Sequence, residues 1–132
     1  MSQSIGFWED TYTIETSSSV KQYYLVKEGT ARGQVVISGT TGEKVLGPVQ
    51  SHPAIGSTQF TAGDVVSVRK GMGTSKFVAG GSITRGDRLA SNADGTVITT
   101  VTDHHYVVAH ASQDAATGEI FEGELKGYTL SI

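Results

Sequence analysis

From Phe77 to Leu125 the chain reads F-V-A-G-G-S-I-T-R-G-D-R-L-A-S-N-A-D-G-T-V-I-T-T-V (77–101), then H-Y-V-V-A-H-A-S (105–112), then T-G-E-I-F-E-G-E-L (117–125). Apolar or β-branched runs at Ile83, Leu89, Thr96 to Val101, Tyr106 to Val108 and Ile120 to Leu125 are cut at intervals by Gly, Asp and Asn. That is the pattern of strands joined by tight turns, and it predicts a β-meander. Asn92-Ala93-Asp94-Gly95 supplies residues that tolerate positive φ, as a hairpin requires. Gly86-Asp87 and Gly118-Glu119 do the same one strand earlier and two strands later.

The strand pattern extends towards the N-terminus. Gln22 to Lys27 and Gln34 to Ser38 read as strands, with a loop from Glu28 to Gly33 between them. Gly39 to Glu43 turns the chain into Lys44-Val45-Leu46, and Pro48 and Pro53 then place V-Q-S-H at a sheet edge or in a surface loop. Phe60 to Asp64 leads into a half-exposed strand, Val65 to Arg69. Residues 1–20 are rich in Ser and Thr with isolated apolar groups, and read as an irregular N-terminal arm. The remaining residues, 21–132, form one β-domain. The expected class is therefore all-β, a Gly-rich β-barrel or β-sandwich. Only Asp114-Ala115-Ala116 has helix-friendly residues in sequence, too few for more than one turn.

The chain also echoes itself. Gly33 to Ile37, Lys44 to Val49 and Ala62 to Val68 follow the same order as Gly95 to Ile98, Tyr106 to Ala111 and Thr117 to Gly123. Two related β-modules, about 33–71 and 95–127, are implied, the first with a longer loop from Gln50 to Gln59.

A length of 132 residues suits one domain with its own core. With no cysteine, disulfides and thiolate chemistry are excluded, which fits synthesis in a reducing cytoplasm. No apolar run approaches 18 residues and no charged leader precedes one, so neither a membrane span nor a signal peptide is expected. The formal charge of −3, with Lys and Arg scattered, gives no footprint for nucleic acid.

Candidate chemistry is sparse. Asp103-His104-His105 with His110 is the one cluster with metal or acid–base residues, but His105 and His110 lie an odd number apart and would face opposite sides of a strand. No Cys or H-E-x-x-H spacing supports a metal, so a solvated hairpin end is expected. Arg85-Gly86-Asp87 matches an adhesion tripeptide but sits at a predicted turn. Lys70 to Lys76 is Gly-rich and basic, lacks the ending of a phosphate loop, and reads as a hairpin tip. No serine sits in a G-x-S-x-G elbow. No enzyme, cofactor or metal site is expected.

The order of turns resembles that of the small bacteriophage capsid decoration proteins, also called cement or head-stabilising proteins. In that family an A-G-G-x-I-x-x-G-D-x-L step, a D-x-D-G-like turn and strand, a V-x-G/A-x-A-like segment and a final G-E/D-x-apolar strand succeed one another. The matching residues are Val78 to Leu89, Ala93 to Val97, Val107 to Ala111 and Gly118 to Leu125, and the likeness begins near Ala62. Where the family often has Gly, this chain has Ala109-His110-Ala111. The resemblance implies a non-enzymatic protein that binds the outer surface of the expanded capsid as a homotrimer at three-fold and quasi-three-fold positions, with the major capsid protein as partner and no nucleic acid or membrane. Contact candidates are Phe7, Trp8 and Tyr12 in the arm, His52 and Pro53 in the long loop, and Lys70, Met72 and Lys76 in the hairpin. Aromatic groups are favoured in such contacts. The alternative is another virion part, such as a head-fibre base or receptor-binding module; a small hydrolase ranks below both.

Overall fold

A four-residue turn recurs through the molecule and sets where its strands begin. In the computed structural model, which describes residues 8–15 and 20–132, the turn occurs at Thr40 to Glu43, Thr61 to Asp64, Thr84 to Asp87 and Ala116 to Glu119. The fourth residue's N–H donates to the first residue's carbonyl, at 3.3, 3.1, 3.0 and 3.0 Å in turn. Its carboxylate accepts the first residue's N–H at 2.9, 2.9, 2.8 and 2.7 Å. The third residue is always Gly with φ between 79° and 93°, a region that costs an L-residue about 1–2 kcal/mol. Each turn is thus held by local hydrogen bonds and a glycine at the position that needs positive φ.

Four of the nine connections between the ten described strands contain this turn; the strands are β1 (Trp8–Ile14), β2 (Leu25–Glu28), β3 (Gln34–Ile37), β4 (Gly47–Pro48), β5 (Val65–Lys70), β6 (Gly73–Val78), β7 (Arg88–Ser91), β8 (Val97–Thr99), β9 (Tyr106–Ala111) and β10 (Ile120–Thr129). They form two five-stranded sheets, in the orders β4-β2-β3-β1-β5 and β6-β10-β9-β7-β8. No helix occurs among the described residues, and the fold is all-β.

The second sheet repeats the ladder of the first. Antiparallel pairs β2·β3, β2·β4 and β1·β5 correspond to β7·β8, β7·β9 and β6·β10. The parallel pair β1·β3 corresponds to a parallel bridge between Ala79, just past β6, and Val97 in β8. The antiparallel pair β9·β10 corresponds to a bridge between Val49, just past β4, and Val68 in β5. In each sheet one bridge therefore joins the two edges, giving two barrel-like sheets that protect their own edge strands.

The match extends to single hydrogen bonds. Ile14 N–H donates to Asp64 O and Gly63 N–H to Ile14 O, both at 2.8 Å; Ala79 donates to Glu119 O at 2.9 Å and Gly118 to Ala79 O at 2.8 Å. Tyr23 N–H reaches Val49 O at 2.7 Å as Gly86 N–H reaches Ala111 O at 2.8 Å. Among the described residues the non-glycine residues with positive φ, Tyr23 and His104, both at 70°, occupy the counterparts of Gly86 and Gly42.

Each sheet encloses a core. Ile14, Val20, Val26, Val35, Val49, Phe60, Val66 and Val68 fill the first; Phe77, Leu89, Val97, Val108, Phe121 and Leu125 lead the second, with Leu25 and Val45 contributed by the first half. Leu25 N–H donates to Gly95 O at 2.8 Å and Gly42 N–H to Ser91 O at 2.9 Å, so the halves are bonded backbone to backbone. Buried apolar area, at about 25 cal/mol per Å², is the main force holding both cores.

Several expectations change. Within the irregular arm predicted for 1–20, Trp8–Ile14 is a strand lying between β3 and β5, because polar and core-facing residues alternate along it and Ile14 is buried. The strand predicted from Gln22 starts at Leu25, after the turn at Gln22 and Tyr23. Lys44 to Leu46 is not a strand; β4 is Gly47–Pro48, and Val49 behind it is fully buried at the barrel closure rather than in a surface loop. The second sheet is not a meander, since β7 lies between β8 and β9. Lys70 to Lys76 is no hairpin: β5 and β6 belong to different sheets, and Gly71-Met72 is the crossover between them.

Candidate docking surface

The residues singled out for contact divide into three groups. Phe7 lies outside the described residues. Trp8 opens β1 and has Lys70 as its ladder partner. Tyr12 and Lys70 meet directly: the Lys70 Nζ lies 2.8 Å from the Tyr12 hydroxyl, 2.6 Å from Asp10 Oδ2 and 5.4 Å from the Tyr12 ring centroid. Burial disfavours the ammonium, but the hydrogen bonds of Asp10 and Tyr12 and their charges outweigh it and raise the Lys70 pKa above the ordinary lysine value. Tyr12 packs on the first core, so this trio caps the end of that barrel and holds its positive charge within the chain.

Lys76 points elsewhere, over the ring of Tyr23 at 5.8 Å. That contact sits beside the root of the long loop. Gln22 Nε2 donates to Gln50 O at 3.1 Å, Gln50 Nε2 to Ser75 Oγ at 3.2 Å, and Ser67 N–H to Ser51 Oγ at 2.9 Å. The far root is anchored by Phe60, which is buried and donates its N–H to Val20 O at 2.9 Å. Between these anchors His52 is exposed, Pro53 is half-buried, and 54–59 are all exposed. A turn held by Ser57 N–H on Ala54 O at 2.9 Å, with Gly56 at φ 87°, lifts Ile55 into solvent. Ile55 is fully exposed.

Sequence reasoning named His52 and Pro53 but missed Ile55 and Tyr23. An uncharged stretch with Ile-Gly at its centre was the available signal for Ile55. Tyr23 gave none, because its role depends on a positive φ that only the fold reveals.

Met72 is 64% exposed at the rim of an open cavity of about 450 Å³, lined by Gly71, Gly73, Glu124, Leu125, Lys126 and Gly127. A smaller cavity of about 330 Å³ is lined by Lys27, Glu28, Lys44, Val45 and Leu46. The rim of the first carries a Lys126 to Glu124 pair at 3.3 Å and so has no net charge.

The histidines do not converge. His105 Nδ1 lies 2.8 Å from Thr100 Oγ1, with its ring against Gly42; His110 Nε2 lies 2.8 Å from the Tyr128 hydroxyl; His104 is exposed beside Asp103. Burial, then the charges of Lys126 and Arg88, depress the His110 pKa against the opposing pull of Glu124. Among the described residues no three His, Cys, Asp or Glu side chains are placed to hold a metal ion. The Arg85-Gly86-Asp87 turn is exposed at Arg85 and Gly86 and is held by hydrogen bonds within the chain: Asp87 Oδ2 accepts from Thr84 N–H and Thr99 Oγ1, both at 2.8 Å, and Arg85 N–H donates to Asp114 at 2.8 Å.

No family model matches the chain, and no curated protein matches it. Among solved structures the fold is similar to that of the head fiber gp8.5 N base in bacteriophage phi29, with a TM-score of 0.63 over 96% of this chain and 99% of that one, at 19% identity. At that identity the likeness is one of fold.

Proposed function

We propose that this chain is a bacteriophage virion structural protein that docks on the outer surface of the expanded capsid as a decoration protein and stabilises the head. The supporting observation is the fold shared along almost its whole length with a phage head-fibre base. Two independent lines meet there: the turn order resembles decoration proteins, and the whole-chain fold resembles a head-fibre base. Both are virion parts.

In this reading the protein acts as a homotrimer at three-fold and quasi-three-fold positions, with the major capsid protein as partner. Three equal contacts formed together raise effective affinity without any single strong one. A module that binds only the expanded shell stabilises it by mass action, by RT ln(1 + [L]/Kd) per site. In this reading the role is adhesive and non-enzymatic.

The second reading, a head-fibre base, is favoured by the name of the fold neighbour. It shares the capsid contact and differs in carrying a further fibre.

Sedimentation separates these readings from others. Purified protein mixed with expanded heads lacking it is expected to pellet with them, and to stay in solution with procapsids. Heads so loaded should release DNA at a higher temperature than bare heads. Protein that pellets with neither particle, or that instead retains host cells or glycans without any capsid, contradicts the proposal.

A further inference from the structure

The repeated ladder provides a way to separate scaffold from addition. At matched ladder positions, Gln50 N–H donates to Ser67 O at 2.8 Å and Ser112 N–H to Glu122 O at 3.0 Å; Phe60 N–H donates to Val20 O at 2.9 Å and Ala115 N–H to Ile83 O at 3.0 Å. Residues 51–59 therefore occupy the interval filled in the second half by residues 113 and 114 alone. The barrel closes in both halves, so closure does not require the longer interval. The additional residues form a prong, fastened at both roots and tipped by Ile55 on a set turn.

Single exposed apolar residues are ordinary on protein surfaces. Ile55 is distinguished by three further features: it stands on an insertion, its turn is pre-organised, and no acid or lysine or arginine lies between Gln50 and Gln59. Such a prong fits an uncharged, apolar-floored socket. The larger cavity has those properties, with Met72, Leu125 and three glycines lining it and its one charged pair neutralised internally. The smaller cavity is lined by two lysines and a glutamate and lacks them.

A chain does not fill its own socket. After Val49 the chain runs antiparallel to β5, towards Val65, whereas the socket opens past Lys70 at the other end of β5. Ser67 and Gly71 are separated by about 13 Å at 3.3 Å per residue, and the prong departs in the opposite direction. We infer that the Ile55 prong of one copy enters the Met72 cavity of the next, in a head-to-tail contact. Such contacts use two different patches and close into rings when the rotation allows. The contact rests on the trimer proposed above and supplies its joint.

The sequence contains no cysteine, so Ile55→Cys with Met72→Cys in one chain gives a clean cross-link. Oxidised at micromolar concentration, the double variant is expected to run as covalent trimers on a non-reducing gel, while neither single variant passes beyond dimer. Ile55→Asp and Met72→Asp, both exposed positions, should each sediment as monomers with unchanged thermal unfolding. Mixed in equal amounts they should form one-to-one pairs, because each retains the patch the other lacks. A trimer indifferent to both Asp substitutions, or single-Cys variants that cross-link as well as the double, overturns this contact and leaves the trimer standing. A wild-type monomer also overturns it, and head sedimentation then decides the proposed function separately.

Discussion

The two halves of the molecule have the same ladder but fill it differently. On one rung of the first sheet Tyr12 faces Val66; on the matching rung of the second, Phe77 faces Phe121, their rings 6.1 Å apart. The first half keeps Gly47 where the second has Ala109, and Glu43 where the second has His105. Ladder and turns are thus held constant, whereas side-chain volume and charge are free to diverge. What the first half adds, the 51–59 prong, is what the second lacks.

The largest effect is expected in the aromatic core. Phe121→Ala should cost about 3–5 kcal/mol by urea unfolding, and Val66→Ala on the matching rung about 2 kcal/mol. Equal costs would mean the two cores are not packed alike. Gly47→Ala comes next. A Cβ there would collide with the carbonyl oxygen of Arg69 at the barrel closure, and overpacking of this kind costs about 1–3 kcal/mol. Ala109→Gly, its mirror experiment, should lose no more than about 1 kcal/mol.

Glu43 gives a smaller effect that depends on pH. Burial opposes its charge, but the hydrogen bond from Lys27, those from the N–H groups of Thr40 and Gly39, and the Lys27 charge outweigh burial and lower its pKa. A depressed carboxylate contributes stability that is present above its unfolded value and lost as pH falls through the folded one. Wild type should therefore exceed Glu43→Gln by about 1 kcal/mol at pH 7, and the gap should close below about pH 4. A gap that persists in acid would show that the turn does not depend on that charge.

The smallest effect has the opposite sign. His104 holds a positive φ where its counterpart is Gly42, and its side chain is exposed. His104→Gly should raise stability by about 0.5–1 kcal/mol, measured by the midpoint of urea unfolding. A loss would assign the imidazole a contact worth more than the strain.

Much of this architecture could be read in the residues. Gly63-Asp64, Gly86-Asp87 and Gly118-Glu119 mark turns because glycine and a short acid are what that backbone requires, and the strands after them begin where expected. The pairs Gly33 with Gly95, Lys44 with Tyr106 and Ala62 with Thr117, aligned from sequence, occupy matching ladder positions. The repeat nevertheless extends further, to β1 and β2 against β6 and β7, where Trp-Glu-Asp-Thr-Tyr-Thr-Ile in β1 and Gly-Thr-Ser-Lys-Phe-Val in β6 share no evident residue pattern.

Pairing order was not legible, since alternation identifies a strand but not its neighbour, and the predicted meander and hairpin at Lys70 to Lys76 failed for that reason. Within the candidate surface, exposed His52 was accessible to composition; the role of Lys70 was not, because its partner Asp10 lies on a strand 60 residues away in sequence that read as an arm.

A cryo-EM map of expanded heads mixed with this protein bears most directly on the proposed capsid docking. Density for both matched barrels is expected on the outer surface, in threes, at the three-fold and quasi-three-fold positions, with each 51–59 prong turned towards its neighbour. Heads whose outer surface shows no such density at saturating protein, or protein found on the inner face of the shell, would contradict it.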